Sequence, residues 1–214
     1  MIALTLWLGR WQTDRAAEKE DLQALYDARA HEVPARLGGS SASADLLYRR
    51  VIASGRWIAE RQLFIDNQIH RGRAGFHVVT PLRLAGSDAA VLVNRGWVAR
   101  TAAYPRVPEV AVPRGDIEVG GLAALPPRRV LELSAETVSG NVWQNLSIER
   151  YARATGLKLL PFVVLAESAA PGLEPVRAQP DAGVEKHREY ALTWFSLAAT
   201  VLALWIALNL RRVR

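Results

Sequence analysis

Through the middle of the chain, short runs of apolar, β-type residues recur between turn residues, at 47–53, 62–67, 76–84, 90–98, 117–125 and 159–166. Runs of this length bounded by Gly, Ser and Asp read as strands. The predicted breaks are Ser54-Gly55, residues 71–75 and residues 85–88. Pro81 lies inside one run and marks it as an edge strand or a bulge, because proline has no N–H for the ladder. A Pro-rich stretch at 104–116 joins two runs, and 147–155 reads as a short helix with Ser147 as N-cap and Gly156 as its stop. The pattern changes near the N-terminus. From Trp11 to about His31 the spacing of Leu22, Leu25, Tyr26 and Arg29 (i, i+3, i+4, i+7) predicts a helix, ended by Pro34 and the connector LGGSSASA at 37–44.

The two ends are apolar. Residues 190–210, YALTWFSLAATVLALWIALNL, run for 21 positions without a charge, and about 20 apolar residues in a helix cross a hydrocarbon core of ~30 Å. Tyr190, Trp194 and Phe195 gather at one end, where aromatic rings favour the headgroup region, and Arg211, Arg212 and Arg214 close the other. The positive-inside rule puts those arginines in the cytoplasm and everything before Tyr190 outside. Met1 to Gly9 is also apolar but too short to span. It reads as the outer half of a membrane helix, with a short interfacial anchor as the alternative. The expected architecture is a membrane-anchored α+β protein. A small β-rich, barrel-like extracytoplasmic domain of six or seven strands is joined to a C-terminal transmembrane helix and a truncated N-terminal one. Its parts are a partial membrane helix (1–12), a helical connector (13–36), the β-rich domain (45–170), a linker (171–189), the transmembrane helix (190–210) and a basic tail (211–214).

Composition narrows the function. The 214 residues contain no Cys, which excludes disulfides, thiolate nucleophiles and Cys-ligated iron–sulfur or zinc sites. The net charge of +6 is uneven: residues 49–106 carry ten basic against three acidic side chains, while 1–48 and 107–189 each come to −2. That central excess suits anionic headgroups, haem propionates or an acidic partner. It also suits a chain that simply favours arginine, since 24 of its 27 basic residues are Arg. No basic helix, zinc finger or aromatic–basic strand signature points to nucleic acid.

Enzymatic motifs are missing: there is no GxSxG, HExxH, Walker loop or GxGxxG. His70 and His77 lack an obvious third metal ligand and read as hydrogen-bonded strand histidines. Asp66, in Asp-Asn before a turn, reads as local capping rather than a general base. His31 suits the end of a helix. His187 stands apart, three residues before Tyr190 and beside Trp194, at the boundary between water and hydrocarbon. Imidazole is a common axial ligand of haem iron, and such a boundary suits a macrocycle with an apolar body and charged propionates. The alternative is a polar interfacial residue that snorkels, as Lys186 and Arg188 do.

Four elements in order, LGRWQTDRAAEK (8–19), NQIHRGRAGFHVVTPL (67–82), VLVNRGWV (91–98) and HREYALTWFSLAATVLALW (187–205), resemble the surfeit-locus family of cytochrome c oxidase assembly proteins. The resemblance covers nearly the whole chain. It implies a non-enzymatic factor, a bacterial member of the family, held in the inner membrane with a periplasmic β-rich domain. Such a factor assists delivery or insertion of haem a into the catalytic subunit of a haem–copper oxidase, with the haem a synthesis machinery as a further partner. The alternative is a scaffold that steadies an oxidase intermediate without binding haem. The closing-motif His of the family, thought to bind haem a in some bacterial members, falls on His187, with Tyr190 and Trp194 beside it. Arg95, Gly96 and Trp97 match the central hallmark. Arg95 suits a carboxylate or propionate partner, and Gly96 suits a bend or a close backbone approach, the alternative being strand packing. Glu185-Lys186 stand where the family often has Asn-Asn.

Overall fold

The computed structural model describes residues 1–38, 44–126, 138–176 and 183–212. Residues 39–43 of the expected connector, 177–182 of the linker and 213–214 of the tail lie outside them. The chain forms two units, one of Met1–Ala28 with Gln179–Arg214 and one of Arg29–Ala178. Its class is mixed α+β, with one large sheet and one long apolar C-terminal helix.

In the first unit, helix α1 (Ile2–Ala30) contributes all but its last turn and α3 (Val184–Arg212) lies beside it. α1 runs unbroken through the expected partial membrane helix (1–12) and into the expected helical connector (13–36), ending at Ala30. Between Gly9 and Val33 there is neither Gly nor Pro, and i,i+3 and i,i+4 pairs (Arg10–Asp14, Arg15–Glu18, Gln23–Asp27) run along it. α3 begins at Val184, so the last residues of the expected linker are helical. Over Val184–Leu210 it is the one described helix long and apolar enough to cross a membrane. Small residues line the seam between the two helices: Ala16, Ala191 and Ala198 are buried, and a side chain on Gly9 would stand 2.7 Å from the Phe195 ring.

The second unit is built on a nine-stranded sheet. Its strands are β1 (Ala35–Leu37), β2 (Arg50–Trp57), β3 (Leu63–His70), β4 (Arg73–Leu84), β5 (Ala89–Ala99), β6 (Asp116–Ala124), β7 (Val138–Ser139), β8 (Val142–Trp143) and β9 (Lys158–Ala166), with helix α2 (Ile148–Thr155) before β9. The order is β1-β2-β6-β9-β5-β4-β3-β8-β7, and β2 also pairs with β4, so the path β2-β6-β9-β5-β4 returns to its start. The six sequence runs each correspond to one of the six long strands, and α2 has the expected Ser147 cap and left-handed Gly156. The three remaining strands, of two or three residues, are too short to leave a periodic signal.

Two punctuation residues behave differently from expectation. Gly55 lies inside β2 rather than ending it. It stands where β2 crosses onto β4, and a Cβ there would come within 1.8 Å of the Arg83 carbonyl oxygen, so only glycine lets the backbones approach. Pro81 is buried within β4, paired with Leu92 of β5, and not at an edge. On its other side the β3 partners end at Val79 and the β2 partners begin at Leu82. Pro81 falls in that gap, where no N–H is required, and its carbonyl accepts from Ile58 N–H at 2.9 Å.

The larger core cluster brings Val51, Leu82, Leu84, Val91, Val93, Phe162 and Val164 together. Each such side chain contributes about 1.5–3 kcal/mol when removed from water. A second cluster packs Trp143 and Tyr151 against Leu63, Val79 and Leu92. The arginine excess of the central stretch is paired across the sequence: Arg49 with Glu32, Arg50 with Glu167, Arg56 with Asp116, Arg73 with Glu174. The carboxylates come from the two acidic segments, and Arg50 and Arg56 hold Glu167 and Asp116 below the usual carboxylate range.

Gly55→Ala should destabilise the protein by about 4 kcal/mol, at the severe end for a point change, read as a collapse of the thermal melting transition of the purified protein. Tyr151 supplies a pH test. Burial pushes its phenol up to about 12 from an ordinary value of about 10, and its hydroxyl donates to the Arg61 carbonyl. The neutral phenol is the favoured folded form, so its contribution is complete below pH ~10 and is lost as pH rises through about 12. Tyr151→Phe should cost about 1 kcal/mol at neutral pH and make melting temperatures less sensitive to pH across that window.

Candidate functional site

Strand β5 has β4 on one side and β9 on the other, and its ladder to β4 slips at one point: Val79 pairs with Asn94 and Val78 with Gly96. Arg95 is the extra residue of a bulge, the device that re-aims a side chain within a sheet. The local sequence builds it. The Asn94 side-chain oxygen accepts from the Gly96 N–H at 3.1 Å. Gly96 has φ +141°, and a Cβ there would stand 2.7 Å from the Leu173 Cβ and 2.8 Å from the Glu174 oxygen. The bend and the close approach expected of Gly96 are both present. Trp97, 1% exposed, donates its indole N–H to the Gln68 carbonyl at 2.8 Å, and its backbone exchanges two hydrogen bonds with Glu174.

Arg95 is 3% exposed. Its Nη1 donates to Gln62 Oε1 at 2.9 Å and its Nη2 to the Ala111 carbonyl at 2.8 Å, while the guanidinium lies 5.3 Å from the Trp57 ring centroid. Gln62 is fixed in turn, accepting from Thr80 Oγ1 and donating to the Val110 carbonyl. Burial pulls Arg95 below its ordinary value. Among the described residues it has no carboxylate partner. Arg95, Trp57, Val93, Ile117, Val119 and Ala166 line part of a cavity of about 400 Å³. Gln62, Trp57 and Ala111 were not legible as a group: they lie 16 to 38 positions from Arg95, on other elements, and carry no motif.

Asp66 sits at a bulge in β3 and accepts from Arg100 (2.6 Å) and the Tyr104 hydroxyl (3.1 Å). It is a structural anchor for side chains 34 and 38 positions away, where the sequence suggested a local cap. His70 and His77 are not brought together. His70 faces Glu174 at 3.1 Å and packs on Trp97, while His77 lies four residues along β4 from the cross-strand partner of His70, roughly 13 Å at strand rise.

The other expected residues lie in the helical unit. His187 is half-buried in the first turns of α3, and its Nδ1 is 2.6 Å from Gln12 Oε1 of α1. An amide oxygen only accepts, so Nδ1 carries the proton in that bond, and a neutral ring keeps its lone pair on Nε2. Tyr190, one helical turn on, is 58% exposed, and Trp194 a turn beyond is half-buried. Arg188 pairs with Glu20 of α1 at 2.8 Å. Gln12 falls in the quoted LGRWQ element, and its signal was a lone amide just beyond an apolar run.

Residues 1–199 match the SURF1 family. The chain is 28% identical to a SURF1-like protein of Monosiga brevicollis, covering 96% of this chain and 84% of that protein. It is 26% identical to the Surfeit locus protein 1 of Mus musculus (98% and 74% covered) and 26% identical to a SURF1-like protein of Rickettsia conorii (93% and 84%). A match over nearly the whole length, spanning both helices and the sheet between them, means that this chain belongs to the SURF1 family.

Proposed function

We propose that this protein is an assembly factor for a haem–copper cytochrome oxidase. It is anchored in the bacterial inner membrane by α3, with the sheet on the extracytoplasmic side and the arginine-rich C-terminus inside. We further propose that His187 presents its Nε2 to the iron of haem a, carried as cargo for the catalytic subunit. The observation that carries the second step is the 2.6 Å bond between His187 Nδ1 and Gln12 Oε1. Iron-ligating imidazoles commonly donate their other N–H to a fixed acceptor, which sets the tautomer and the ring plane and raises the basicity of the ligating nitrogen. Tyr190 and Trp194 add aromatic surface on the same helix, and the family assignment supplies the link to the oxidase. The donor set fits haem iron: one neutral imidazole nitrogen, apolar rings, and no thiolate in the chain.

The same bond favours a second reading, in which His187 fastens α1 to α3 and the protein steadies an oxidase intermediate without touching haem. Polar contacts between membrane helices contribute roughly 0.6–2 kcal/mol, enough for that role. Absorbance spectra of detergent-purified protein from haem a-producing cells separate the two. The carrier predicts a Soret band that is lost in His187→Ala and weakened, with a shifted maximum, in Gln12→Ala, while both variants keep the wild-type melting temperature within a few degrees. A colourless wild-type protein, or a band indifferent to His187, leaves the scaffold.

A further inference from the structure

Taking a guanidinium out of water is costly unless its charge is matched, and Arg95 is charged at any physiological pH. Its two protein acceptors, Gln62 Oε1 and the Ala111 carbonyl, are both neutral. A guanidinium offers five N–H donors, so the described acceptors answer only part of it. Two carboxylates line the same cavity, and each is committed elsewhere. Glu118 is paired with Arg36 at 3.0 Å, and Glu167 accepts a two-pronged contact from Arg50 at 2.6 and 2.8 Å. The rim is therefore neutral in sum, and one positive charge is left over on the inner wall. Ser168 adds one further polar side chain, and the other side chains of the wall are apolar. Trp57, Ile117, Val119 and Ala166 face the cavity and pack on the larger core cluster.

We infer that this cavity is a binding site for a monocarboxylate with an apolar body, the carboxylate meeting Arg95 and the body lying against Trp57 and Val119. At about 400 Å³ the space falls within the range of small-ligand sites. The planar fork of arginine matches a carboxylate edge to edge. A phosphate dianion fits poorly, since the single charge of Arg95 would face two. The carboxylate has two conceivable sources, a free organic acid or the C-terminus of a polypeptide. The bulge gives the site its form, because an in-register β5 would have no extra residue to turn out of the ladder. The inference concerns the sheet unit alone and stands independently of His187.

The test uses the full-length protein in lipid nanodiscs and isothermal titration calorimetry. The probes are phenylacetate, its neutral isostere phenylacetamide, and a short leucine-rich peptide with a free or an amidated C-terminus. Phenylacetate, the free-carboxylate peptide or both should bind at least about tenfold more tightly than the matching amide, the difference a charge-assisted hydrogen bond supplies. Binding of the small acid identifies a metabolite site, and binding of the peptide alone identifies a protein C-terminus. Arg95→Gln should weaken binding by about tenfold or more, with Arg95→Lys in between. Should Arg95→Gln fail to fold, Ala166→Leu decides: it leaves Arg95 in place, fills part of the cavity, and should weaken binding while the melting temperature stays near wild type. His187→Ala should bind the probes as the wild type does. Carboxylates that bind no better than their amides, or binding that Ala166→Leu leaves intact, overturn the inference.

Discussion

Strands β4 and β5 share more pairings than any other two strands of the sheet, and they cannot keep one register along their whole length. Through the slip and as far as Val79, β4 also pairs with β3; from Leu82 on, the same strand pairs with β2. A strand that serves two partners in succession must adjust its twist, and a bulge is how an antiparallel ladder absorbs that adjustment. The cost falls on one residue of β5, which loses its cross-strand partner. That residue is Arg95. Its neighbours are chosen accordingly: Asn94 caps the turn of backbone and Gly96 takes the positive φ. Trp97 then fixes the strand again with a buried indole bonded to Gln68. The segment that follows β9 lies directly on this point, with Ala170 N–H on the Arg95 carbonyl and Glu174 paired with Trp97.

This dependence gives each residue of the Asn-Arg-Gly-Trp run its own task while its surroundings are ordinary strand. Gly96 admits no side chain because Leu173 and Glu174 occupy the space. Glu174 also collects Arg73 and His70, and Arg73 lies 5.1 Å from the Trp97 ring centroid. The bulge therefore couples β5, the β3–β4 hairpin and the post-β9 segment. A change at any of them shifts the direction in which Arg95 leaves the sheet.

The long strands and α2 were legible because each carries its own local signal, an apolar run with breakers or a Ser cap with a terminal Gly. What the sequence hid was set by partners far away. Gly55 and Pro81 are breakers by local rule, yet both sit inside strands, since one occupies a backbone crossing and the other a gap between successive partners. Helix was legible on both sides of residue 12; what joins the two parts into one helix is side-chain pairing carried across the change from apolar to charged composition. The central charge excess was open to two readings, a binding face or a plain preference for arginine; four of its arginines meet carboxylates from the flanking segments. Arg95 and His187 were identifiable as unusual residues. Gln62, Ala111 and Gln12, which determine what those two side chains can do, were not, because a lone amide or carbonyl has no spacing to betray it.

The helical unit sets a similar question about the use of a polar contact. The two helices pack through small residues, Gly9, Ala16, Ala191 and Ala198, which let backbones approach closely. The Arg188–Glu20 pair adds an electrostatic tie on α3 next to His187. The Gln12–His187 bond is a third tie across the same seam, beside the small-residue packing and the Arg188–Glu20 pair. What that bond does fix is the imidazole itself: the ring plane, the tautomer and the identity of the nitrogen left with a lone pair. Orientation of a single donor nitrogen is of no benefit to a helix seam and of direct benefit to a ligand. On that argument the Gln12–His187 contact sets how the imidazole is presented on α3 more than how firmly the two helices adhere.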